Sequence, residues 1–188
     1  MRKYWFATTF LMIISIVGAA QEAEKKETKE EEALKGTHRF TLVLGHTLLS
    51  EGIGESGKRG WITVPSWGFD YDYWISNHWA IGLQNDMVIE NFLVEKPDNT
   101  VIERSSPLTS VAAMIFKPKK HISFIAGIGG EFSKEENFVL TRLGIESGWE
   151  MKKNWEFGVS LLYDIKWSGY NTLVFGFGIS KLLKKNSR

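Results

Sequence analysis

No cysteine occurs in the 188 residues. A disulfide framework and a thiolate metal site are therefore both excluded. After Ala20 the chain also lacks any apolar run near the 18 residues that mark a membrane-spanning helix, so a helical membrane protein is ruled out. An excess of one charge is missing too. The formal net charge is +1, and without Arg2 and Lys3 there are 21 bases against 22 acids. Such a balance offers nucleic acid no electrostatic footprint. No two histidines have metal-ligand spacing, and the scattered acids do not form a calcium loop. Gly127-Ile128-Gly129-Gly130 and Gly176-Phe177-Gly178 lie inside predicted strands with no helix following. A phosphate cradle needs that helix, so no nucleotide is expected and no cofactor is implied.

What is present begins with an export signal. Arg2 and Lys3 form a positive n-region, Tyr4 to Val17 an apolar core, and Gly18-Ala19-Ala20 a small-residue cleavage site. Residues 1–20 are thus expected to be a signal peptide cleaved after Ala20. Its apolar run is shorter than the roughly 20 residues of an anchor helix. Without a cysteine after the small residues, a lipid-modified N-terminus is excluded. Residues 21–36 are dominated by Glu and Lys (QEAEKKETKEEEALK over 21–35) without a continuous apolar face. They read as a charged, solvated spacer; the alternative is a short helix that meets the cell wall or a partner.

From Thr37 the pattern switches to period two, the signal of half-buried strands. Strands are predicted near 38–49, 60–75, 78–93, 107–117, 121–132, 137–151, 154–166 and 169–183. Three connections are tight and polar: Ser76-Asn77-His78, Lys117-Pro118-Lys119-Lys120 and Lys152-Lys153-Asn154. The glycine-rich segment 50–59, and 94–106 with Pro97, Asp98 and Asn99, are longer. Alternation of short and long links, with an even strand count, places both termini and every tight turn at one end. The predicted fold is all-β: an eight-stranded antiparallel up-and-down transmembrane β-barrel over 37–183, followed by a basic tail, 184–188.

The strand over 154–166 separates its faces most cleanly. Trp155, Phe157, Val159, Leu161, Tyr163 and Ile165 share one face, and Glu156, Gly158, Ser160, Leu162, Asp164 and Lys166 share the other. A soluble, lipocalin-like barrel would alternate in the same way with the faces swapped. Two features favour lipid outside. The polar face combines glycine with charge, whereas a ligand-binding interior would collect bulky apolar residues. Tryptophans also cluster beside the tight turns (Trp74 and Trp79, Trp149 and Trp155), where an indole suits a membrane–water interface. Trp74 alone falls on the inward parity, which requires either a bulge or a cap over the lumen.

The export signal, eight alternating strands and alternating turn lengths resemble the small outer-membrane barrels typified by the transmembrane domain of OmpA and by OmpX. The resemblance covers 37–183 and is architectural. It implies the outer membrane of a Gram-negative bacterium, surrounding lipid and lipopolysaccharide, insertion by the barrel-assembly machinery, and a monomer with its tight turns in the periplasm. Such chains often end on an aromatic residue. Here Phe175 and Phe177 are followed by Ile179, Leu182, Leu183 and the basic tail.

The inward charges are the candidate site: Asp70, Asp72, Asp86, Glu90, Glu131, Arg142, Glu146, Glu156, Asp164 and Lys166. In a lumen with little water each carboxylate needs a cation or a hydrogen-bond donor. The expected arrangement is a structural ion-pair network centred on Arg142 with Glu146 and acids of neighbouring strands. It would fill the lumen of a non-enzymatic protein that acts through its surface loops. A narrow cation-selective pore is one alternative, although eight strands leave room for little besides side chains. A lipid-modifying enzyme is another, built on His46 with Ser50 and Glu51 at the outer rim.

Overall fold

Strands that alternate between lipid-like and water-like faces can satisfy both only by closing on themselves, since closure leaves no unpaired edge. The computed structural model describes residues 34–54 and 57–184 and shows this closure. The signal segment 1–20, spacer residues 21–33, Glu55 and tail residues 185–188 lie outside the described residues.

Ten strands are present among the described residues: β1 (His38–Ile53), β2 (Arg59–Trp74), β3 (Trp79–Val88), β4 (Phe92–Glu95), β5 (Val101–Arg104), β6 (Leu108–Lys119), β7 (Ile122–Phe132), β8 (Phe138–Met151), β9 (Trp155–Lys166) and β10 (Thr172–Leu183). Eight of them form the wall. Each pairs antiparallel with its neighbour in the order β1-β2-β3-β6-β7-β8-β9-β10, and β10 returns to β1 from His38↔Leu183 to Leu49↔Thr172. The chain is therefore an eight-stranded antiparallel transmembrane barrel with one extra hairpin.

Burial follows the predicted parity, with the soluble order inverted. Leu44 and Ile128 on the outer face are 63% and 66% exposed, whereas Arg142 and Asp164 on the inner face are 0% and 2% exposed. Five of the six outward tryptophans among the described residues form two girdles, Trp79, Trp149 and Trp155 at the tight-turn end and Trp61 and Trp167 at the other, while Trp67 lies midway along the wall beside Leu44. Trp155 and Trp167 bracket β9, which at ~3.3 Å per residue spans about 40 Å along the strand. Tilted by about 40°, that is ~30 Å of height, enough to enclose the apolar band of an outer-membrane barrel.

The wall is shaped by a few local devices. Pro118 cannot donate to the ladder, and it falls where the β6–β7 register shifts between Phe116 and Lys119. Lys153 and Asn154 turn the chain between β8 and β9 at φ of 62° and 59°. Gly82 gives the inward Asp72 its room: a Cβ there would overlap Asp72 Oδ1 and lie 2.9 Å from the Tyr71 carbonyl oxygen.

Three sequence expectations need correction. The third strand ends at Val88 rather than near 93: the Val88 and Ile89 amides still donate in register to the Pro107 and Pro65 carbonyls, but neither proline has an N–H to return, so the ladder stops there. The segment 94–106 is also not an open loop. Residues 92–104 form the β4–β5 hairpin, closed by Asn99 at φ 63°. β4 pairs with β1 at Gly52↔Val94 and Ile53↔Leu93, above the point where β10 stops. Finally, the spacer does not run freely to residue 36. Leu34 is buried with Trp74, and the Gly36 amide donates to the Trp74 carbonyl at 2.8 Å.

Candidate functional site: a polar lumen closed at both ends

The inward side chains fall into three ionic groups stacked along the axis. At the tight-turn end Arg39 is the hub. Its Nε donates to Asp72 Oδ2 at 2.8 Å, and its terminal nitrogens reach Glu146 at 2.5 and 3.3 Å and Glu156 at 3.1 Å. Arg39 stands on β1 and these partners on β2, β8 and β9, so the group ties the seam of the barrel together. Lys117 approaches Glu156 at 3.8 Å and lies 5.7 Å from the centre of the Trp74 ring. Trp74 is 1% exposed, and with Leu34 it closes the lumen at this end. The inward parity of Trp74 thus reflects a cap.

In the middle, Arg142 holds Asp164 in a two-toothed contact at 2.7 and 2.8 Å and Gln84 at 3.3 Å. Its second carboxylate is Asp86, an ion contact at 2.6 Å that is not aligned as a hydrogen bond. Between this group and the first lies a cavity of about 20 Å³, lined by Asp70, Gln84, Asp86 and Glu146 among others. Its size and polar lining suit a single water molecule. Asp70 accepts the Asn85 amide at 3.1 Å.

The third group sits under the hairpin. Glu131 is approached by Arg104 at 2.6 Å, by the Tyr170 hydroxyl at 2.6 Å and by Lys166 at 3.2 Å. Arg104 also donates to the Glu136 carbonyl at 2.5 Å and stands 4.7 Å above the Phe138 ring. It leaves from β5 and is fully buried, so it fastens the hairpin to β7 and β8 across the mouth. Around it Leu49, Val64, Val88, Phe92, Val94, Phe138 and Tyr170 form a second apolar core. The upper mouth is thereby filled.

Of the residues singled out from sequence, Asp70, Asp72, Asp86, Glu131, Arg142, Glu146, Glu156, Asp164 and Lys166 all face this interior. Glu90 does not. It lies past the end of β3 and is exposed at the loop end, because the chain leaves the wall at Ile89. Glu146 is not a partner of Arg142 either; it pairs with Arg39 one layer away. Arg39, Lys117, Arg104 and Tyr170 were missed by sequence reading. Arg39 shares the inward parity of Thr41, and Lys117 that of Ile115, so parity could have found both. Tyr170 falls in the predicted strand 169–183 with the inward parity of Thr172, so parity could have found it too; Arg104 sits in a segment without periodicity, and nothing local marks it.

His46 is exposed on the outer wall between Pro65 and Phe175. Ser50 instead accepts the Asn171 amide, and Glu51 pairs with Arg59. The rim residues imagined as a nucleophilic set are thus engaged elsewhere. His38 and His121 stand at the tight-turn end, bonded to the Tyr71 hydroxyl at 2.8 Å and the Gly148 carbonyl at 2.9 Å.

No family model and no curated protein sequence matches the chain. Solved structures do. Ail, the attachment invasion locus protein of Yersinia pestis, superposes with a TM-score of 0.52 at 11% identity, covering 79% of this chain and 99% of that one. Ail in complex with the heparin analogue sucrose octasulfate gives 0.53 at 12% identity, with coverage of 79% and 99%. The outer membrane protein OprG from Pseudomonas aeruginosa gives 0.49 at 9% identity, covering 80% and 98%. The chain has the fold of the small, OmpX-like outer-membrane barrels.

Proposed function

We propose that this chain is an exported outer-membrane barrel of a two-membraned bacterium, monomeric and non-enzymatic, which acts through its wall and outward loops rather than by conduction. The barrel-assembly machinery inserts it with the tight turns and both termini in the periplasm. Lipid and lipopolysaccharide surround the wall, and the surface over 50–59 and the β4–β5 hairpin meets its partner. The observation that carries this reading is the filled lumen: three ion-pair groups between a Trp74–Leu34 cap and a hairpin fastened by Arg104. The engagement of Ser50 and Glu51 away from His46 supports a non-enzymatic role.

At the loop end Glu51, Glu90, Glu95, Asp98, Glu103, Glu135 and Glu136 face Lys58, Arg59, Lys96 and Lys134, an excess of acid that disfavours a polysulfated ligand. A partner with a basic face fits better.

Two measurements test the reading. Membranes from cells expressing the chain behind its own signal should yield an outer-membrane band that changes mobility on boiling. Purified barrel in planar bilayers should give no steady conductance. Discrete, steady channels in the native protein would overturn the closed-lumen reading in favour of a narrow pore. Altered outer-leaflet lipids on expression, abolished by His46→Ala, would favour the enzyme.

A further inference from the structure

Charge is distributed unevenly along the barrel axis. At the tight-turn end Lys35, Lys119, Lys152, Lys153, Lys181 and Lys184 stand on the rim, while Glu150 is the one exposed acid there among the described residues. Apart from Glu150, the acids among the described residues are in the lumen and at the opposite end. Among the described residues no carboxylate forms an ion pair with Lys119, Lys152, Lys153 or Lys184, and all four are exposed. Two of them are held outward by a built turn. Lys181 donates to the Lys153 carbonyl at 2.6 Å and lies 4.9 Å from the centre of the Trp155 ring, while Lys153 and Asn154 keep positive φ.

Aromatic rings occupy the same level. Trp79 packs on Phe116 with centroids 4.5 Å apart, and Trp149 lies between His121 and Phe157. Indoles at this height mark the depth of lipid headgroups. Lysines just beyond them extend their ammonium groups to the phosphate layer while their stems remain against apolar surface. From this juxtaposition of unpaired lysines and an aromatic girdle, we infer that the tight-turn rim is a collar that selects anionic phospholipid headgroups in the adjacent leaflet. The inference rests on the outer-membrane reading above. The aromatic girdle favours a lipid over a soluble polyanion, because it fixes the lysines at an interface. The attraction is electrostatic and additive over the lysines near a charged surface.

The test is the relative association of spin-labelled phosphatidylglycerol and phosphatidylcholine with the full barrel, inserted in vesicles of phosphatidylcholine and confirmed by its cold-detergent gel shift. The native chain should prefer the anionic lipid by about threefold. The preference should fall toward one in 0.5 M salt, where screening shortens to a few ångströms. It should also fall toward one in the fourfold variant K119Q/K152Q/K153Q/K184Q, which spares Lys181 because that residue holds the turn. A ratio of one in an inserted native barrel, or a preference that survives both salt and the variant, overturns the collar. If the variant fails to insert, the salt titration of the native chain decides. A chain that does not insert at all overturns the outer-membrane reading and the collar with it.

Discussion

Replacing Arg142 with alanine removes one cation from between two carboxylates that have no other among the described residues. Arg142 is fully buried, Asp164 is 2% exposed, and Asp86 contacts the same guanidinium at 2.6 Å. The loss is therefore the penalty of leaving buried charge unpaired, about 3–5 kcal/mol. With an m-value of about 2 kcal/mol/M in urea, the unfolding midpoint should fall by about 2 M. The assay is a urea titration of barrel refolded in lipid vesicles, followed by tryptophan fluorescence and by the gel shift. A second variant isolates the cause. Neutralising the whole group with Arg142→Met, Asp86→Asn and Asp164→Asn removes the unpaired charges and should recover most of the loss, since replacing a complete buried ionic group is often near neutral. A midpoint unchanged by Arg142→Ala would refute the argument. So would a triple variant as unstable as the single one, because the cost would then lie in lost packing.

Gly82→Ala should cost about 1–3 kcal/mol by overpacking, because the added methyl drives Asp72 off Arg39; the same urea titration checks it. Tyr170→Phe leaves the Glu131 carboxylate short of a buried donor and should cost about 1–3 kcal/mol, read as faster hydrogen exchange in the β4–β5 hairpin with the wall amides unaffected. In the 133–137 loop, hydrogen bonds from the hydroxyls of Ser133 and Ser105 pull the Glu135 carboxyl down from 4.5 to about 2. A depressed folded value means the contact contributes fully above about pH 4.5 and is lost as pH falls through about 2. Carboxyl NMR titration should show this, with Glu135 returning toward 4.5 in the Ser105→Ala/Ser133→Ala variant.

The wall was legible in the sequence because alternation is a local record of two solvents. Phe157 and Glu156 are neighbours in the chain yet face lipid-like and polar surroundings, as an extended strand allows by sending successive side chains to opposite faces. Turn chemistry was legible for the same reason, since Lys152-Lys153-Asn154 carries its conformation with it. The partnerships inside were not. Arg39 reaches Glu146 and Glu156 only because β1 closes on β10, so the pair belongs to the closed ring and to no segment of it. Parity could place Arg142 and Glu146 on one face but could not say that they occupy different layers. Shear sets which inward residues share a level, and shear is a property of the whole barrel.

The hairpin was hidden for a different reason. Period two does continue through Phe92, Leu93 and Val94, but the signal cannot distinguish a wall strand from one folded over the mouth. What decides the matter is Arg104. A long cation in a loop of mixed charge carries no pattern, yet its burial against Glu131, Phe138 and the Glu136 carbonyl converts a loop into a lid. If that anchorage holds the lid down, Arg104→Ala should release it while the wall survives. Glu131 keeps Lys166 and Tyr170 as partners, so the variant does not leave a bare carboxylate. Sites for a glutamate-specific protease at Glu95 and Glu103 in the hairpin should then open, with the cold-detergent gel shift intact. A variant that loses the gel shift would mean that the lid and wall fold as one unit. A variant that keeps the lid protected would mean that the apolar core of Phe92, Val94 and Phe138 holds it without the ion pair.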